Sequence, residues 1–70
     1  EKTNVDSLIG KTAVVTAEIH NLEGRGEVLV NGLTWTARAE NDSEVISGDV
    51  PVEIIAVEGV KLIVRKKKEG

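Results

Sequence analysis

The sequence predicts an all-β domain in which five short strands curl into a small closed barrel. Three observations predict it. Val and Ile supply 17 of the 70 residues, and their branched Cβ atoms suit a pleated, half-buried surface. Apolar and polar residues alternate with period two through several short runs. Seven glycines punctuate those runs, and a short sheet with bends escapes the hazard of exposed edges best by closing on itself.

The length permits one hydrophobic core and no second domain. Residues 1–9 read as a lead-in linker: Val5, Leu8 and Ile9 share the spacing of one helical face, so a single turn fits there, capped by Asn4 or Asp6 and ended by Gly10. The barrel is expected over 10–65. Strand one runs from Ala13 to Ile19, with Ala13, Val15, Ala17 and Ile19 on the apolar face. A loop, His20 to Gly24, follows, and Gly24 and Gly26 suggest a bulge or bend. Strand two carries Val28 and Val30 on one face. Asn31-Gly32 is the preferred filler of a two-residue type I′ turn, which needs positive φ at both positions. Strand three then runs from Leu33 to Ala39, antiparallel to strand two, with Leu33, Trp35, Ala37 and Ala39 facing one way.

Between Glu40 and Asp49 the chain is acidic and turn-rich, with Val45-Ile46 as a short apolar plug. Strand four spans Val50 to Val57, with Pro51 near its start, where a missing N–H is tolerated, and the double apolar Ile54-Ile55 hinting at a bulge. Glu58-Gly59 closes a second hairpin into strand five, where Val60, Leu62 and Val64 alternate with Lys61 and Arg65. Residues 66–70 are charged and aperiodic, a flexible tail. Alanines at 13, 17, 37 and 56 would let the walls approach, with Trp35 as the one large filler.

The chemistry-bearing residues are sparse. With no cysteine, neither a disulfide framework nor a thiolate zinc site is available. His20 is the sole histidine, and the serines Ser7, Ser43 and Ser47 all fall in linker or loop segments, so no base is pinned beside a nucleophile. Glu40, Asp42, Glu44 and Asp49 lack the alternate-position spacing of a calcium-binding loop and read as a solvated connection. Lys61 lies one residue into a strand, without the flanking residues of a swinging-arm carrier. Catalytic residues, cofactors and metals are therefore expected to be none. A single-strand nucleic-acid barrel needs stacking aromatics and a basic groove, whereas this chain has one aromatic and a net charge of −3. Nucleic-acid binding is the weaker alternative. Lys66, Lys67 and Lys68, following Arg65, are a candidate lipid-headgroup contact, set against a solvated tail. No apolar run reaches the ~20 residues of a membrane span and the polar start is no signal sequence, so the fragment itself is expected to be soluble.

Leu8-Ile9-Gly10-Lys11, Gly24-Arg25-Gly26-Glu27-Val28, Val30-Asn31-Gly32 and Trp35-Thr36-Ala37 resemble the soluble domain of NfeD-family proteins. The second half is similar too, in Ile46-Ser47-Gly48-Asp49-Val50-Pro51-Val52 and in Val57-Glu58-Gly59-Val60-Lys61-Leu62-Ile63-Val64. The resemblance covers Leu8 to Arg65 and lies in the order and spacing of weak motifs. It implies a five-stranded OB-type barrel at the C-terminal end of a membrane protein whose helices lie upstream, with the domain on the cytoplasmic side. It further implies a non-catalytic protein-interaction role beside a stomatin- or flotillin-like (SPFH) partner in membrane-domain organisation. Longer family members carry a serine protease domain of the ClpP type, to which nothing here corresponds, so regulation of a membrane-associated protease is a further alternative. The matched positions Gly10, Gly26, Asn31, Gly32, Trp35, Gly48 and Gly59 carry over as structural. Leu22-Glu23-Gly24 departs from relatives, which often have proline there.

Overall fold

A computed structural model describes residues 5–67. A 3-10 turn, Val5–Leu8, leads into six strands: β1 (Thr12–His20), β2 (Arg25–Val30), β3 (Leu33–Ala39), β4 (Val45–Ile46), β5 (Pro51–Glu58) and β6 (Lys61–Lys66). Five of them close a barrel. β1 pairs antiparallel with β2 and β2 with β3. β3 pairs parallel with β6, β6 antiparallel with β5, and β5 antiparallel with β1, completing the circuit. This is a small OB-type barrel with one extra strand. That strand, β4, is the Val45-Ile46 segment: Ile19 pairs with Ile46 and His20 with Val45.

The core follows from the alternation. Val15, Ile19, Val28, Ile46, Val52, Ile54, Leu62 and Val64 are fully buried, and Ala13, Ala37 and Ala39 fill the spaces where walls approach. Burying one such aliphatic side chain stabilises by roughly 1.5–3 kcal/mol relative to exposure. No polar or charged side chain is buried among the described residues. Leu8, from the lead-in segment, also belongs to this core. The chain enters the barrel through two backbone bonds, Gly10 N–H to the Ile54 carbonyl at 2.7 Å and Ile54 N–H to the Lys11 carbonyl at 3.0 Å.

Several details depart from simple alternation, each for a geometric reason. The β1–β2 register shifts between Val15 and Ala17 and again between Ala17 and His20. The strand therefore turns Ala17 out to solvent while Ile19 returns to the core. In β5 a shift between Ile54 and Ala56 leaves Ile55 as the extra residue, the bulge that the double isoleucine suggests. Trp35 does not fill the core; it is half-buried against it, and Leu33 on the same face is 61% exposed. Both sit where β3 has not yet met β6, whose pairing with β3 starts at Thr36 and Lys61. The second hairpin pairs Glu58 with Lys61, so its turn residues are Gly59 and Val60, and Val60 is 80% exposed. The loop after β1 is a 3-10 turn, Asn21–Glu23, ended by Gly24 in the left-handed conformation.

Candidate functional site

The positions singled out in the sequence shape the scaffold at separate points. Asn31 and Gly32 have φ of 54° and 79°, and Val30 pairs directly with Leu33, so the turn is two residues long with positive φ twice. Gly26 lies inside the wall of β2 with φ 147°. A Cβ there would meet the Ala37 carbonyl oxygen at 2.6 Å, Ile19 Cγ1 at 2.9 Å and Ile19 Cα at 3.0 Å, so three strands converge because this residue has no side chain. Gly10 and Gly59 also have positive φ. Gly48 does not, and a Cβ on it would meet nothing within 4 Å; in that turn the left-handed residue is Asp49, at φ 69°.

One end of the barrel gathers an apolar surface. The tight β2–β3 turn projects Leu33, and Trp35 follows two residues later on the same face. The parallel ladder begins at Thr36 and Lys61, so Trp35 and Val60 are the residues that precede it on each strand. Trp35 is half-buried against the core with the exposed Leu33 two residues before it on β3, Val57 of β5 is also packed on the core, and Val60 in the β5–β6 turn is exposed. Large aromatic anchors with apolar neighbours are the commonest energetic centres of protein interfaces.

Beside this end runs a shallow groove of about 320 Å³, lined by polar and charged residues including Arg38, Glu40, Asp42, Glu58 and Lys61 over Ile63. Its rim is fixed by Asn21, which sequence reasoning passed over as a loop residue. Asn21 Nδ2 donates to the Ala39 carbonyl at 2.8 Å, and the Ala39 N–H donates to Asn21 Oδ1 at 2.8 Å, so the amide acts as one more strand residue beside β3. The same Nδ2 donates to Asp42 Oδ1 at 2.8 Å. Arg38 donates to the Ala37 carbonyl at 2.7 Å and to the Gly24 carbonyl at 2.8 Å, tying the β1–β2 loop to β3. His20 ends β1 half-buried, with Nδ1 3.6 Å from Glu23 Oε1. Arg25 bridges Glu18 and Glu23, each at 3.1 Å, on the exposed outside. Among the described residues no group of three or more His, Asp or Glu is placed to hold a metal ion.

The outer wall carries a second apolar feature. Val14 pairs with Leu29 of β2 on one side and with Pro51 of β5 on the other, and all three point outward. Lys66 is the last residue of β6, paired with Val52, and Lys67 stays on the barrel. The Lys67 N–H donates to the Pro51 carbonyl at 3.2 Å, and its Nζ donates to Thr12 Oγ1 at 2.7 Å. Lys68 lies outside the described residues.

The barrel interior is filled by aliphatic side chains, so any contact this domain makes is made on its outside. The chain belongs to the NfeD family: residues 5–66 match that family's description, an NfeD-like C-terminal, partner-binding domain. Among solved structures it resembles the soluble domain of a Corynebacterium glutamicum membrane protein implicated in regulation of membrane protease activity. That likeness has 25% identity and a TM-score of 0.83, covering 90% of this chain and 97% of that one. It also resembles the C-terminal domain of the stomatin operon partner protein 1510-C from Pyrococcus horikoshii, at 26% identity and a TM-score of 0.80, covering 97% of this chain and 100% of that one. A search of curated proteins finds no match.

Proposed function

We propose that this domain is the non-catalytic interaction module of a membrane-anchored protein, lies on the cytoplasmic side, and docks a stomatin- or flotillin-like SPFH partner through the Leu33–Trp35–Val60 end. The observation that carries the docking surface is the half-buried indole with the exposed Leu33 two residues earlier on the same strand face, where β3 runs past its pairing with β6. A fully interior tryptophan would serve packing alone, whereas this one keeps a free flank for a partner. The partner class is supported by the Pyrococcus structure, which is named a stomatin operon partner. The test is co-purification of the membrane-anchored parent with its SPFH neighbour. Leu33→Ser combined with Trp35→Ala should abolish recovery while the barrel still melts cooperatively, and undiminished recovery overturns the assignment.

A second reading, regulation of a membrane-bound protease, is favoured by the Corynebacterium neighbour. It expects a changed cleavage rate when the purified domain is added to that protease. Nucleic-acid binding has only the lone aromatic and an acidic balance to draw on. Absence of retention on single-stranded DNA at low salt removes it.

A further inference from the structure

From the register of β3 we infer that the docking end captures its partner by strand addition: an extended, uncharged segment of the partner pairs antiparallel with Thr34 on the free edge of β3. The inference rests on the docking reading above and specifies the backbone contact through which it works.

The free edge follows from the alternation of backbone groups along β3. Val30 and Leu33 flank a two-residue turn, so they exchange both of their backbone bonds, and Val28 does the same with Trp35. Thr34, opposite Leu29, lies between them, and its N–H and C=O point away from β2. The alternate residues that follow point the same way and find β6 there. Thr36 and Arg38 pair with Lys61 and Ile63, and just past the end of β3 the Glu40 N–H donates to the Val64 carbonyl at 2.9 Å. At Thr34 that neighbour has not begun, and no backbone bond reaches Thr34 from the Gly59–Val60 turn. Among the described residues, the exposed Thr34 therefore turns one donor and one acceptor toward an empty strand position.

Sheet edges are ordinarily protected by lysine, proline, a bulge or a covering loop. From Asn31 to Thr36 the chain has no charge and no proline, and the β2–β3 register runs without a shift. The two backbone groups set the occupant. An extended chain offers a carbonyl and an N–H at matching spacing, which neither a lipid surface nor an internally bonded helix does, and one residue of an antiparallel strand exchanges both bonds with Thr34. Side-chain alternation then sets the sequence of that segment. The residue opposite Thr34 shares its outward face, where a threonine or serine pairs well. The next residue, opposite Leu33, falls on the face of Leu33 and Trp35 and is apolar, since Leu33 is 61% exposed there and Trp35 half-buried. Two backbone bonds and one apolar contact are a weak attachment for free molecules and a sufficient one for two proteins held in the same membrane.

The test uses the membrane-anchored parent and its SPFH neighbour. In the co-purified complex the Thr34 amide should exchange hydrogen at least about tenfold more slowly than in the parent alone, while the Thr36 amide, already bonded within the sheet, changes little. Thr34→Pro removes the edge-facing N–H without touching a bond to β2, a substitution that edge strands accept. It should cut recovery of the neighbour about tenfold or more while a cooperative melt is retained. Thr34→Val keeps the backbone groups and should recover the neighbour as the parent does. Unchanged exchange at Thr34 in the complex overturns the inference, and this readout needs no variant to fold. Undiminished recovery with a folded Thr34→Pro overturns it as well. So does slow exchange at Thr34 in the parent alone, whether from its own chain or from a second copy, because the edge is then already occupied. If Leu33→Ser with Trp35→Ala abolishes recovery while Thr34→Pro does not, the docking end stands and strand addition fails. If neither diminishes recovery, the docking reading itself falls.

Discussion

In Gly26→Ala the added methyl carbon would stand 2.6 Å from the Ala37 carbonyl oxygen and 3.0 Å from Ile19 Cα. Both are backbone atoms of neighbouring strands, so no rotamer change relieves the contact; β1 or β3 must move. The backbone is also held at φ 147°, a region that a residue with a Cβ rarely adopts. Strain of that kind costs about 1–3 kcal/mol, and overpacking against a close-packed wall costs a further ~1–3 kcal/mol. Set against a total stability of about 4–10 kcal/mol for a domain of this size, the substitution should remove around half. At roughly 4–8 °C per kcal/mol, Tm should fall by at least about 10 °C. The assay is thermal and urea unfolding followed by far-UV circular dichroism and Trp35 fluorescence, with Gly48→Ala as the control. Gly48 has ordinary φ and open space, so that change should leave Tm unchanged or raise it slightly. If Gly26→Ala melts with the control, the three-strand convergence described here is wrong.

Asn21→Ala removes both hydrogen bonds to the Ala39 backbone and should cost about 1–3 kcal/mol; unchanged hydrogen-exchange protection of the Ala39 amide would contradict it. Gly32→Val puts a β-branched residue at φ 79° with open space around it, so its cost of about 1–3 kcal/mol comes from the backbone alone. A melting point equal to that of the parent would contradict the turn. Trp35→Ala should cost about 1–3 kcal/mol, less than the ~3–5 kcal/mol of a fully buried ring, because one flank of the indole already faces solvent. A loss at the higher value would return Trp35 to the interior and remove it as a docking anchor.

The parts of this fold that are legible in the sequence are those fixed by neighbours along the chain. Asn31-Gly32 announces its hairpin because few residue pairs accept positive φ twice, and the alternation of Val28 with Val30 and of Leu62 with Val64 gives the inward face directly. What alternation gives is a face, not the height at which a barrel stops. Leu33 and Trp35 share the inward face of Ala37 yet overhang the point where β6 begins, which only the β3–β6 register determines. Ala17 likewise follows the pattern until two register shifts in β1 turn it outward. The strand Val45–Ile46 is too short to show any period, and the Asn21 clamp joins residues 18 positions apart with no local signature. For the candidate site, the tryptophan and the lysines are visible as residue types. The grouping of Lys67 with Thr12 and Pro51 exists only once the sheet closes.

Strand β6 is flanked by β3 on one side and β5 on the other, and it is the one wall of the barrel reached by a parallel neighbour from far upstream. Shortening the chain from its C-terminal side would therefore unzip two ladders at once and bare a row of unpaired amides on each of two strands. Such a molecule would hold a ready berth for the corresponding strand of another copy. Truncated versions lack that strand themselves, so they should recover the closed barrel only by taking β6 from an intact copy.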